Sequence, residues 1–241
     1  MCSAIKMKSA IFKFKRKVNK IRELSNAATQ LIKHESQDQS FYALLQNLRS
    51  FPMFNPSQRD FEIKYLFDLV KIKGCKMVGE IGCYKGGSLY ILTKAMPISS
   101  KIISVDINYP LERKIAHRKF GKGKIKVVPI EGDTKDLRTF TKVKRNLNNH
   151  LFDLLFIDGD HSLEGIMNDY VRYSPLVRKG GLIVLHDIQP LRRQDPNVRS
   201  AEYVGKVPLF WKMLRDSGLK TMEIIENRNQ SGAGLGIIIK Q

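Results

Sequence analysis

Cysteine is scarce in this chain of 241 residues: Cys2, Cys75 and Cys83 are odd in number and form no CxxC pair. Their scarcity excludes a disulfide framework and a cysteine zinc module, and it suits the reducing environment of the cytoplasm. No uninterrupted apolar run approaches the roughly 18 residues of a membrane-spanning helix, so a membrane would be met from its surface. Acid is the largest deficit. Only 23 Asp and Glu stand against 42 Lys and Arg, a formal charge of +19. What is present suffices for a globular fold: apolar residues make up 42% and aromatics 9%, which rules out a wholly disordered or low-complexity chain.

The excess charge falls in two zones. Residues 1–33 hold nine basic residues and one acid, Glu23, and residues 112–126 hold seven against Glu112, which leaves the rest nearly balanced. In the first zone Ile11, Phe14, Val18, Ile21, Ala28 and Ile32 recur at steps of three and four if Ser25 takes one slot, the stripe of an amphipathic helix. Two readings stay open. The stripe packs on the domain or on a second copy in a homo-oligomer, or residues 4–33 lie as a basic helix on an anionic membrane. A secretory signal is disfavoured, because the cations of IFKFKRK interrupt any apolar segment. Polar residues 34–40 form a candidate joint, and the chain divides into a basic helical extension, 1–50, and a domain, 51–241.

After a turn-rich stretch at 51–56 and a helix at about 58–72, the pattern changes. Five short apolar runs, at 77–81, 101–105, 125–130, 151–157 and 181–185, alternate with segments of helix length. That alternation predicts an α/β fold with a parallel sheet covered on both faces. A helix at 207–217 and two closely spaced runs, 221–225 and 234–239, predict an antiparallel strand pair at the end.

The chemistry-bearing residues gather where these strands end. The first runs into Glu80-Ile81-Gly82-Cys83-Tyr84-Lys85-Gly86-Gly87-Ser88 and then a helix. Glycines at a strand-to-helix turn let a ligand approach the backbone, and the helix start attracts an anion. The spacing is not that of a dinucleotide or Walker loop. Asp106 follows the second strand at a distance suited to accepting ribose hydroxyls. Asp133 follows the third strand, Asp158 and Asp160 the fourth, and Asp187 the fifth. In an open α/β sheet these ends face one crevice. A single such acid is an ordinary helix cap; their recurrence after successive strands is not explained by capping.

The runs VGEIGCYKGGSLYIL and FDLLFIDGDHSLEGIMNDYVRYSPLVRKGGLIVLHDI, with the tail pattern VPLFWKML and GAGLGIII, resemble the class I S-adenosylmethionine-dependent methyltransferases. Within these, the sequence is similar to the cephalosporin-hydroxylase-like and sugar O-methyltransferase group, related to the catechol O-methyltransferases. The resemblance covers about residues 55–240. It implies a Rossmann-like sheet of seven strands, mostly parallel with the last antiparallel, and S-adenosylmethionine as cofactor. By position, Gly82, Tyr84, Gly86 and Ser88 would line the methionine part, and Glu80 would brace the loop or meet the cofactor amine. Asp106 would hold the ribose, and Asp133 would stand near the adenine. The metal-dependent members bind a divalent cation, Mg or Mn, through acids that map here to Asp158, His186 and Asp187. Asp158 so serves cofactor and metal alike, and the general base maps to His161.

Methyl transfer is an in-line attack on a sulfonium methyl, which asks for alignment and a deprotonated nucleophile. A sugar hydroxyl is a very weak acid, so a bound cation would help by lowering its pKa. His186 departs from the all-oxygen set of a hard Mg²⁺ site and would suit Mn, Fe or Zn better. These features together point to an O-methyltransferase acting on a small, anionic or glycosylated, polyhydroxylated acceptor. A nucleic-acid substrate ranks below this, for lack of an aromatic-basic run or a base-flipping motif. A non-catalytic, membrane- or partner-docked member is the third alternative. His34, His117 and His150 read as ordinary surface or loop histidines, Asp169 as a helix-surface acid, Cys83 as a residue without a partner base, and Trp211 as core. The loop with Arg192, Arg193, Asp195 and Arg199 is where an acceptor would be read.

Overall fold

The computed structural model describes residues 2–34, 40–191, 203–227 and 229–241, with residues 2–8 and 11 by their backbone. The joint at 35–39 and the loop of Arg192, Arg193, Asp195 and Arg199 lie outside the described residues. Seven strands form one sheet: β1 (Met77–Ile81), β2 (Lys101–Asp106), β3 (Lys126–Glu131), β4 (Phe152–Ile157), β5 (Val177–His186), β6 (Thr221–Ile224) and β7 (Leu235–Ile239). Their order is β3-β2-β1-β4-β5-β7-β6. The first five are mutually parallel, and β7 runs antiparallel to both β5 and β6. The order reverses between β1 and β4, and ligands of open α/β sheets bind in the crevice at such a switch point.

The helices are α1 (Cys2–Lys33), α2 (Phe41–Arg49), α3 (Asp60–Ile72), α4 (Gly87–Ala95), α5 (Leu111–Arg118), α6 (Leu137–Leu147), α7 (Leu163–Tyr173) and α8 (Val207–Asp216). The period-two alternation of buried strands divides the core between the sheet's faces. Val78, Leu154 and Phe156 point to one side, onto Leu45 and Leu48 of α2, Leu66 and Val70 of α3 and Leu92 of α4. Ile81, Leu155 and Ile157 point to the other, onto Val143 of α6, Ile166 of α7 and Trp211 of α8. Residues 41–49, grouped by sequence with the extension, thus pack into the domain's own core.

Only part of α1 does the same. Ala28 and Leu31 are fully buried, with Leu24 and Ala27 packed beside them, whereas residues 12–20 are all exposed. The packed part lies along α5 and the turn after it. There Lys119 Nζ donates to Thr29 Oγ1 at 2.8 Å and to the Ser25 carbonyl at 3.2 Å, and Lys20 pairs with Glu112 at 3.3 Å. The two basic zones of the sequence therefore meet where α1 packs on α5.

Candidate active site

The turn from β1 into α4 is built on glycine for a steric reason. Gly82 has φ +84°, and a Cβ there would stand 1.9 Å from the Asp158 carbonyl oxygen, so only glycine allows β1 and β4 to end this close together. Asp106 ties the loop from the front. Its Oδ2 accepts from the backbone N–H of Cys83 at 2.9 Å and of Tyr84 at 2.7 Å, and its Oδ1 accepts from Asn108 N–H at 2.8 Å. Behind the loop, fully buried Glu80 accepts from the Ser88 hydroxyl at 2.7 Å and from the Ser104 hydroxyl at 2.6 Å. Burial pushes this carboxyl up to about 7, against the pull of the two hydroxyls.

A second brace corrects two sequence readings. His117 is fully buried, not a surface histidine, and Cys83 does have polar neighbours. The His117 Nδ1 lies 2.7 Å from the Tyr109 hydroxyl, which lies 3.4 Å from Cys83 Sγ, and Nε2 lies 3.1 Å from the Lys85 carbonyl oxygen. Burial holds the His117 imidazole down at about 3 and pushes the Cys83 thiol well above its usual range. The chain is therefore neutral, with Nε2–H donating to Lys85 and Nδ1 accepting from Tyr109. It positions the glycine loop and leaves Cys83 inert as a nucleophile.

In front of the loop opens a cleft of about 510 Å³. Gly82, Tyr84, Ser88, Asp106, Asp133 and Asp158 line it, while Glu80 and Gly86 stand behind its wall. Asp169 also lines it, and here the expectation of a surface acid fails: the side chain is fully buried, and its Oδ2 has no hydrogen-bond partner. Burial raises its carboxyl to about 6.

Asp158 joins the cleft to a cluster of acids and imidazoles at the ends of β4 and β5. Its Oδ1 lies 3.4 Å from His161 Nε2 and 3.3 Å from His186 Nδ1, and its Oδ2 accepts from Gln58 Nε2 at 2.6 Å. Asp187 Oδ2 is 3.3 Å from His186 Nδ1 and 3.7 Å from His161 Nδ1. Asp187 is a non-glycine residue at φ +60°, a conformation that persists where surroundings over-determine it and that gathers at functional sites. His161 Nδ1 also hydrogen-bonds the Tyr203 carbonyl.

Among the described residues, the three groups whose ligand atoms come together for a cation are Asp158, His161 and Asp187, all within 4.8 Å of one another. His186 is not in this set, although its Nδ1 faces both Asp158 and Asp187. Both of its nitrogens are engaged by carboxylates, Nε2 with Glu62 Oε2 at 3.1 Å. Glu62, in the first turn of α3, is itself fully buried and accepts from Gly234 N–H at 2.6 Å and from Gln230 Nε2 at 3.2 Å. Burial works against the charge on His186, but Asp158 and Asp187 outweigh it and hold the imidazole protonated well above its ordinary range. Burial likewise opposes the charge on His161, and Asp158, the Tyr203 carbonyl and Asp187 raise it to about 9. Glu62 and Gln58 carry no local sequence signal. They sit at the start of an ordinary amphipathic helix, and only the fold brings them to the site.

Residues 80–188 match a family model described as a methyltransferase domain. The chain carries a methyltransferase domain. Among curated proteins it is similar to caffeoyl-CoA O-methyltransferase 1 of Zea mays, 30% identical over 153 residues that make up 55% of each chain. The chain spans about half the length of the curated relatives it matches. Among solved structures, the O-methyltransferase from Bacillus cereus in complex with SAH superposes with a TM-score of 0.58 at 16% identity, over 91% of this chain and 100% of that one. TomG of Streptomyces achromogenes, an O-methyltransferase involved in tomaymycin synthesis and solved with SAM, gives 0.53 at 17%, over 90% and 89%. At these identities the structural likeness is one of fold. The sheet described above, with β7 inserted antiparallel, is thus the class I methyltransferase fold.

Proposed function

We propose that this methyltransferase domain transfers the methyl group of S-adenosylmethionine to a hydroxyl of a small polyhydroxylated or glycosylated acceptor. The observation that carries the reading is the position of Asp158, which lines the cleft and also anchors the acid and imidazole cluster. A cofactor bound along the glycine loop would end where the cluster begins. The cleft falls within the roughly 300–1,000 Å³ range of small-molecule sites. Gly82, Tyr84 and Ser88 would hold the cofactor's methionine part, with Asp106 on the ribose and Asp133 near the adenine. Bound there, the cofactor supplies an electrophilic methyl group.

The donor set also fits a divalent cation. Asp158, His161 and Asp187 would hold it, and Asp187 Oδ1 is a buried oxygen without a hydrogen-bond partner. Two carboxylates and an imidazole suit Mn²⁺ better than Mg²⁺. Such an ion lowers the pKa of a coordinated hydroxyl. The contact of His161 with the Tyr203 carbonyl fixes its tautomer, with Nδ1–H donating and Nε2 turned toward Asp158. Between Asp158 and Asp187 that imidazole is protonated at neutral pH. With Nδ1–H held by the Tyr203 carbonyl, Nε2 carries its one lone pair when neutral, so His161 would serve either as a ligand of the cation or, without one, as the base.

Calorimetry with S-adenosylhomocysteine tests the reading. One-site binding is expected, and no heat together with no thermal shift at millimolar ligand would refute it. Chelator is expected to abolish methyl transfer to a hydroxyl acceptor and to leave cofactor binding in place. Transfer that survives exhaustive chelation removes the cation and keeps the rest.

A further inference from the structure

Over residues 12–20 α1 is helical, strongly basic and exposed, with Lys20 reaching the domain at Glu112. Residues 9, 10 and 12–20 are all exposed, including Phe12 at 69%, Phe14 at 67% and Val18 at 36%. A phenylalanine left in water on a stretch of helix that does not pack on the domain calls for a surface that covers it. Phe14, Val18 and Ile21 follow at steps of four and three, on one side of the helix. Around them stand Lys13, Lys15, Arg16, Lys17 and Lys20, and from residue 2 to residue 22 the helix contains no acid. Because α1 lies along α5, this arm leaves the domain beside the second basic zone, where Arg118 is exposed and Arg113, Lys114 and Lys119 are engaged with Tyr84, Glu131 and Thr29.

We infer that this arm is a membrane-docking surface, and that the first part of α1 lies in the interface of an anionic bilayer. Three occupants compete for such an arm. A second copy of the chain would bring the same cations against the first, so like charges would oppose the contact along its whole length. A nucleic acid would satisfy the cations and could stack on Phe12 and Phe14, but it would leave the aliphatic Val18 and Ile21 of the row without an apolar environment. An anionic bilayer satisfies both parts. Acyl chains cover the apolar row, and acidic headgroups meet the lysines on either side of it. The domain, carried on the packed second part of α1, would be held at the surface.

Co-sedimentation of the full chain with vesicles tests this. Binding to vesicles of phosphatidylcholine with phosphatidylserine is expected to exceed binding to pure phosphatidylcholine by roughly tenfold or more, and to fall steeply with added salt. The double variant Phe14→Ser with Val18→Ser keeps every charge. It is expected to lose most of the binding while its thermal midpoint stays that of the parent, because neither side chain packs on the domain. A chain lacking residues 2–20 is expected to behave likewise. Equal binding to neutral vesicles, undiminished binding by the double variant, or a dimer that dissociates in that variant overturns the proposal. So does salt-sensitive capture of RNA by a chain that ignores lipid. None of these outcomes depends on cofactor binding, so the docking surface and the methyl-transfer reading fail separately.

Discussion

Glu80 carries its charge at a cost that pH can expose. A carboxyl in water titrates near 4.3, and burial raises this one to about 7, although Ser104 and Ser88 donate hydroxyls to it. An acid whose folded value lies above its unfolded value contributes stability that is complete below the unfolded value. The contribution is lost as pH rises through the folded value. Between about pH 4.5 and 7 the domain should lose on the order of 3 kcal/mol from this group alone. Glu80→Gln keeps an acceptor and a donor for the two serine hydroxyls and cannot ionise. The fall in denaturation midpoint between pH 6 and pH 8 should therefore be several degrees smaller in the variant than in the parent. An identical fall in both would mean that the carboxylate is already ionised and compensated by the hydroxyls. The same reasoning shows why Asp169 and His117 were misread from sequence. A polar residue on a helix reads as solvent-facing, but their surroundings come from other elements: Thr134 and the β4 loop for Asp169, and Phe54, Tyr109 and Phe120 for His117.

At the scale of elements, α1 is one helix with two environments. Its second part is core: Leu31 is fully buried among residues that include Leu45 and Leu48, and Asn47 Nδ2 donates to the Leu31 carbonyl at 3.0 Å. Leu31→Ala should destabilise the domain by roughly 2–5 kcal/mol in a urea titration, whereas deleting residues 2–20 should leave the midpoint unchanged. A cut near residue 40, where the polar joint invites one, would remove the packed part along with the arm. Loss of less than about 1 kcal/mol on Leu31→Ala would show that α1 is peripheral throughout. The strands were more legible than this boundary. Each parallel strand is a continuous apolar run because both faces are covered, and 77–81 matches β1 residue for residue. The sequence places the start of β5 four residues late. Gly180 and Gly181 break its apolar run, and the pairing register with β4 shifts between Phe152 and Leu154. The site's acids were legible for the same topological reason, since strand ends fall on one edge. Glu62 and Gln58 were not, because 124 residues separate Glu62 from His186 and 100 separate Gln58 from Asp158.

Across the whole molecule, a basic exterior surrounds a centre in which carboxylates and imidazoles compensate one another. Glu62, Asp158 and Asp187 face His161 and His186, and removing one member of a buried charged group leaves another without its partner. The geometry nevertheless separates two functions within that centre. Asp158 lines the cofactor cleft, whereas Asp187 does not, although both contribute to the candidate cation set. Ligands that bind only the folded state raise its stability by mass action, about 2.7 kcal/mol at a hundred times Kd, so thermal shift reads the two occupancies independently of turnover. Each variant is compared with its own ligand-free midpoint, which removes the destabilisation caused by the substitution itself. Asp187→Asn should retain the shift given by S-adenosylhomocysteine and lose that given by Mn²⁺. Asp158→Asn should lose the Mn²⁺ shift and have its S-adenosylhomocysteine shift reduced as well. If Asp187→Asn abolishes both shifts, cleft and cluster are one site, and Asp158 is not the link between them. If neither variant changes the Mn²⁺ shift, the cation binds elsewhere, and the compensated acids belong to acceptor binding alone.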